Sequence, residues 1–173
     1  MRTLVFLSLL LCLCRSAFAA PLEDTPEARL DALGYTLPAV STPVANYVKA
    51  VRAGDLLFLA GHGECTDPLI GKLGADLTVE DGYGSAQRVA LCLIATMKKE
   101  LGDLSKVKRF VRLVGMVNSA PDFTDQPAVI NGASDLFVDV FGETGRHARA
   151  AVGMASLPIG IAVEITLIVE IEA

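Results

Sequence analysis

From residue 161 to residue 171 the chain alternates without a break. Ile161, Val163, Ile165, Leu167, Val169 and Ile171 fall on one side, and Glu164 and Glu170, followed by Glu172, on the other. A period of two is the signature of a β-strand with one apolar face. Such a strand needs neighbours for its backbone N–H and C=O groups and a second layer for its apolar side. The rest of the sequence must therefore supply both more strands and something to cover them.

Two amphipathic segments supply the cover. Between Tyr83 and Leu101 the residues Ala86, Val89, Ala90, Leu93, Ile94, Met97 and Leu101 recur at intervals of three and four, and Gly102 follows as a stop. Asp125-Gln126-Pro127 opens a second helix in which Val129, Ile130, Ala133, Leu136, Phe137 and Val140 share a face before Gly142. A hairpin is expected from Tyr47–Arg52 and Leu56–Ala60 around Ala53-Gly54, then strands over Val107–Val117 and Ala148–Ala155. In the former, Val107, Arg109, Val111 and Leu113 are expected on one side, and Lys108, Phe110, Arg112 and Val114 on the other. The order hairpin, helix, strand, helix, two strands fits an α+β two-layer sandwich. Ala151 and Gly153 beside Arg149 leave a sheet face suited to packing against other subunits, and a homo-oligomer is expected.

The chain has 173 residues, enough for one domain and not two. The apolar run Thr3–Cys14 rises only about 18 Å as a helix, too little for a hydrocarbon core of about 30 Å. With Arg2 before it and Ala17-Phe18-Ala19 after it, it reads as a signal peptide, residues 1–19, cleaved after Ala19. The remaining chain is then secreted or periplasmic, without membrane attachment. Residues 20–45 form a Pro-rich extension with a short helix capped by Thr25 and opened by Pro26, and residues 46–173 form the domain. The net charge of −5 becomes more negative when Arg2 and Arg15 are removed. That acidity argues against a nucleic-acid partner, and the basic stretch Lys98–Arg112 reads as a solvated helix end and strand edge. Cys65 and Cys92 would pair only with Cα atoms within about 7 Å; free thiols are expected.

No phosphate-cradling or dinucleotide-binding loop is present. His62 and Cys65 have half the spacing of a zinc site without a second pair, so no metal is expected and His62 reads as a loop residue. The informative pair is Arg149 and Glu164. Each interrupts an otherwise apolar or small-residue strand, and antiparallel pairing of the two strands across Pro158–Gly160 would bring them together. An arginine beside a carboxylate is either an anion clamp next to a group able to orient water, or a structural ion pair.

Asn46-Tyr47-Val48, Leu57-Phe58-Leu59-Ala60-Gly61, Gly71-Lys72-Leu73-Gly74, Val117-Asn118-Ser119, Val129-Ile130-Asn131-Gly132, Gly145-Arg146-His147-Ala148-Arg149-Ala150-Ala151-Val152-Gly153, Leu157-Pro158 and Val163-Glu164-Ile165, in this order and spacing, resemble the YjgF-type reactive intermediate deaminase (RidA) family, also labelled endoribonuclease L-PSP or chorismate-mutase-like. The resemblance spans about residues 26 to 172. It implies a chorismate-mutase-like fold with a mixed six-stranded sheet, two helices on one face, and a homotrimer with sites in the clefts between subunits. It further implies hydrolysis of 2-imino or enamino acids to 2-keto acids and ammonia, with no cofactor and with a small carboxylate-bearing metabolite as partner. By the same resemblance Arg149 would clamp the carboxylate and Glu164 would orient or activate water. Tyr47 and Asn131 would line the cleft, and backbone groups of Gly61 and Ala151 would hold the imine end. The alternatives are a carboxylate-binding trimer without catalysis and an endoribonuclease.

Overall fold

A computed structural model describes residues 24–173. The expected signal peptide lies outside them. Thr25 Oγ1 accepts the Ala28 N–H at 3.2 Å and Pro26 occupies the first turn, so α1 (Pro26–Ala32) starts where its cap dictates. Leu30 is its one buried side chain, set against the rest of the core. The chain then runs extended to β1 (Ala50–Ala53), which turns at Gly54 into β2 (Leu56–His62). The first strand is thus shorter than its alternation predicts, and Tyr47 precedes it.

α2 (Val79–Leu101) begins in a capping box, with Thr78 and Asp81 satisfying each other's backbone N–H groups, and ends at Gly102 in the left-handed region, φ 75°. β3 (Val107–Asn118), α3 (Gln126–Phe141), β4 (Ala148–Met154) and β5 (Val163–Ile171) follow. The sheet order is β1-β2-β5-β3-β4. Every neighbouring pair is antiparallel except β3 and β4, which are parallel and joined through α3. The α+β two-layer architecture stands, with five strands rather than six.

Two expectations about register are overturned. β4 and β5 do not form a hairpin, because β3 lies between them. The connection through Pro158–Gly160 passes over the end of β3 instead, where the Asn118 N–H donates to the Ala162 carbonyl at 2.9 Å. Along β3 the simple alternation fails as well. Register shifts between Val107 and Arg109 and between Phe110 and Arg112 turn Val107, Phe110, Leu113, Gly115 and Val117 inward.

α2 and α3 cover one sheet face with Val89, Leu93, Ile94, Met97, Val129, Ile130, Leu136 and Phe137. They meet the apolar row of β5 from Val163 to Ile171, and all of these are buried. Each such side chain contributes about 1.5–3 kcal/mol relative to exposure. Two glycines set how closely the layers approach. A Cβ on Gly115 would lie 2.5 Å from Ile130, and one on Gly132 would strike the Tyr83 backbone carbonyl, which fixes the crossing of α3 on α2. Among the described residues the opposite sheet face has no covering layer and exposes Val51, Phe58, Val111 and Val152.

The cysteine expectation is also corrected. Cys65, just beyond β2, and Cys92, in the middle of α2, form a disulfide with a Cα–Cα distance of 5.9 Å. The long α2 runs past the end of β2, so residues 27 apart in sequence come within bonding reach.

Candidate functional site

Arg149 lies on β4 opposite Leu113 of β3, which is in turn opposite Leu167 of β5. Leu113 and Leu167 face the helices, so Arg149 points to the helix side of the sheet. Being on the edge strand it remains exposed, and its Nη1 donates to Asn131 Oδ1 at 2.8 Å and to Ser134 Oγ at 3.1 Å, both on α3. Ser134 Oγ is also 3.1 Å from His147 Nε2, and His147 Nδ1 is 2.7 Å from the Gly145 carbonyl. Burial lowers the His147 pKa; its Gly145 bond pulls the other way, and the charge of Arg149 adds a smaller lowering. Asp135, Val138 and Arg146 complete the walls of a cleft of about 360 Å³ here.

Glu164 lies on β5 opposite Met116 of β3, one step out of phase with the buried row Val163, Ile165 and Leu167. Its carboxylate therefore stands on the open face. It rests against Gly61 of β2, where any Cβ would collide with its Oε1, so the glycine is what makes room for the acid. Burial raises its pKa, with no hydrogen bond or neighbouring cation offsetting that.

The expected pair is consequently not brought together within one chain. Arg149 and Glu164 leave opposite faces of the sheet, separated by two strand spacings of about 5 Å each and by three residues along the strand at about 3.3 Å each. The antiparallel hairpin that would have joined them does not form, for the reason given above. Asn131 joins Arg149; Gly61 joins Glu164. Ala151, expected on an outward face with Gly153, points with Arg149 to the helix side and packs on the core, while Ala150 and Val152 face outward. Tyr47 is exposed ahead of β1, at the far edge from β4.

Two polar residues missed from the sequence are Ser134 and His147. Their signal was in the spacing: Ser134 is three residues from Asn131 on a helix, so it shares Asn131's face, and His147, just ahead of β4, is two residues from Arg149. His62 is likewise no loop residue. A register shift between Leu59 and His62 turns it inward at the end of β2, where it is 3% exposed. Its ring nitrogens lie 2.7 Å from the Ala60 carbonyl and 3.0 Å from Thr96 Oγ1, and burial lowers its pKa.

The sequence model of the family described as "YjgF/chorismate mutase-like, putative endoribonuclease" matches residues 27–171. The chain belongs to this YjgF/chorismate mutase-like family. It is 48% identical over 151 residues to Protein TCP17 of Trypanosoma cruzi, covering 83% of this chain and 92% of that protein. The crystal structure of Atu1372 from Agrobacterium tumefaciens is 47% identical with a TM-score of 0.80, covering 87% of this chain and 95% of that one. RidA from the Antarctic bacterium Psychrobacter sp. is 26% identical with a TM-score of 0.52, over 76% and 94% of the two chains. Arg149 on the edge strand β4 and Glu164 on the open face of β5 are thus polar groups of this YjgF-like fold that packing does not explain.

Proposed function

We propose that this YjgF-like protein hydrolyses reactive 2-imino or enamino acids to 2-keto acids and ammonia, at sites assembled between copies of the chain in a homotrimer. The observation that carries this reading is the split site. Arg149 with Asn131 forms an anion-binding half, and Glu164 against Gly61 forms an acid–base half, on opposite sheet faces. Each half lacks what the other has, and the open face around Glu164 exposes the apolar Phe58 and Val152. A neighbour in a closed ring supplies to each copy the half it cannot reach itself.

In the assembled site the guanidinium holds the substrate carboxylate as a bidentate pair. The Glu164 carboxylate takes a proton from water as the water oxygen bonds to the iminium carbon. The resulting carbinolamine takes that proton back onto nitrogen; as the C–N bond breaks and the C=O bond forms, the hydroxyl proton passes to the Glu164 carboxylate and from there to the departing ammonia, so the keto acid and ammonium leave. The iminium carbon is already electrophilic, so a fixed carboxylate and a positioned water are the main requirements. Similarity to RidA supports the reading. The ribonuclease in the family's description would use the larger cleft of Arg109, Arg146, His147 and Glu170. Both His147 nitrogens are engaged elsewhere, which leaves that cleft without a free imidazole.

The decisive experiment co-refolds Arg149→Ala with Glu164→Ala in equal amounts and supplies imino acids generated in situ by an amino-acid oxidase. Each variant alone should be inactive, and the mixture should recover about a quarter of wild-type keto-acid release by random assembly. Failure of the wild type to accelerate release for any side chain would refute the reaction. An active wild type with an inactive mixture would refute the shared site.

A further inference from the structure

Arg149, Ser134, His147 and Gly145 form a chain of hydrogen bonds whose direction is forced from one end. A carbonyl oxygen can only accept, so His147 Nδ1, 2.7 Å from the Gly145 carbonyl, carries a proton. The neutral ring then has a lone pair on Nε2, and Ser134 Oγ, 3.1 Å away, donates its only proton there. With that proton committed, Ser134 Oγ is left with lone pairs alone and accepts from Arg149 Nη1 at 3.1 Å. The second Nη1 proton goes to Asn131 Oδ1 at 2.8 Å. A serine inside a helix ordinarily returns its hydroxyl to the carbonyl four residues earlier; here it is diverted to a different element.

We propose that Ser134 and His147 are positioning residues that lock Nη1 of Arg149 onto α3 and thereby turn its Nε–Nη2 edge toward the anion. This deepens the proposed function and rests on it for the nature of the anion, a 2-keto or 2-imino carboxylate. An arginine on an exposed edge strand otherwise samples many rotamers, and each bond that fixes the fork removes entropy that binding would have to remove. Pinning one terminal nitrogen leaves the other edge as two parallel donors, the arrangement a carboxylate matches.

The surroundings keep His147 in the neutral form that this direction requires. Phe110 of β3 and Phe137 of α3 stand 6.4 and 6.0 Å away between ring centroids, the latter edge-on at 82°. Arg149, two residues on in β4, disfavours a second cation; Arg146 lines the same cleft. Asp135 of α3 and, across the neighbouring cleft, Arg109 of β3 and Glu170 of β5 are the remaining charged groups that share its clefts.

The test measures binding of 2-oxobutanoate together with side-chain nitrogen NMR of the free protein. His147→Phe keeps an aromatic ring between Phe110 and Phe137 but lacks the acceptor, and Ser134→Ala breaks the chain at its middle. Each should weaken 2-oxobutanoate about tenfold, while His147→Gln, which restores an acceptor, should return affinity to near wild type. Neither should weaken it further in an Arg149→Lys background, since the fork they orient is gone. In the free wild type the Arg149 Nη protons should be slowed in rotation and His147 should titrate as the Nδ1–H tautomer; Ser134→Ala should free the guanidinium. Unchanged affinity in His147→Phe and Ser134→Ala, additivity with Arg149→Lys, or a guanidinium already rotating freely in the wild type overturns the proposal. A wild type that binds no carboxylate yet shows the slowed guanidinium refutes the deaminase reading and leaves the positioning role standing.

Discussion

Glu164 and Arg149 show how much a side chain's role depends on the face it leaves from. The two residues were legible as anomalies because each breaks a run of small or apolar neighbours, but their separation was not. Sequence spacing placed them across one ladder, and only the insertion of β3 between their strands sends them to opposite faces. His147 and Ser134 escaped notice because a lone histidine and a helical serine usually have structural explanations. What singles them out is a third residue, Arg149, from a different element. Burial raises the Glu164 pKa, which yields a signed prediction. In the proposed reaction the base works ionised, so the acid limb of kcat/KM should lie above the ordinary glutamate value of about 4.3, and Glu164→Gln should lose turnover. For stability the penalty is absent where both states are protonated and grows as pH rises past the unfolded value toward the raised folded one. Glu164→Gln should accordingly raise Tm at neutral pH and lose that advantage near about pH 4. A Tm gain that is equal at both pH values would contradict the assignment.

At the level of elements, α3 was readable end to end, and α2 and β5 over most of their length, because one period dominates each; α2 starts four residues before Tyr83, at the Thr78–Asp81 capping box, and β5 starts at Val163 rather than Ile161. β3 was readable as a strand but not in its facing, since two register shifts reset the alternation that a single sequence displays as continuous. Pairing order was the least accessible feature, being a property of what crosses over what. Gly132 was noticed as part of a motif, and its physical role is now apparent: α3 touches the α2 backbone at Tyr83 there. Gly132→Ala should reduce the unfolding free energy in denaturant titration by about 2–4 kcal/mol through enforced separation of the helices. A change within about 0.5 kcal/mol would show that the helices slide apart freely. The Cys65–Cys92 disulfide closes a loop of 27 residues between β2 and α2. In the chain-entropy account this constrains the unfolded state by about 3.5 kcal/mol. Cys65→Ala/Cys92→Ala should show a loss of that order at most, and insensitivity of the wild type to reductant in the same titration would argue that the pair contributes little.

For the molecule as a whole, the two-layer fold leaves one side of the sheet without a cover among the described residues. Phe58 and Val152 on that side are 40% exposed each, far more than the apolar residues of the helix-facing side. An exposed apolar sheet face is a surface for association. If the proposed assembly uses this face, Phe58→Asp should leave a single subunit in sedimentation and abolish keto-acid release, while leaving the circular dichroism of the fold unchanged. A variant that remains assembled and active would place the contact elsewhere. Because fork and acid leave the sheet on opposite sides, the proposed arrangement ties the fate of each catalytic centre to two polypeptides. One copy lacking both groups would silence two of the three centres in its ring, the one it lends a cation to and the one it lends a base to, so inactive variants co-produced with the wild type would poison it out of proportion to their abundance.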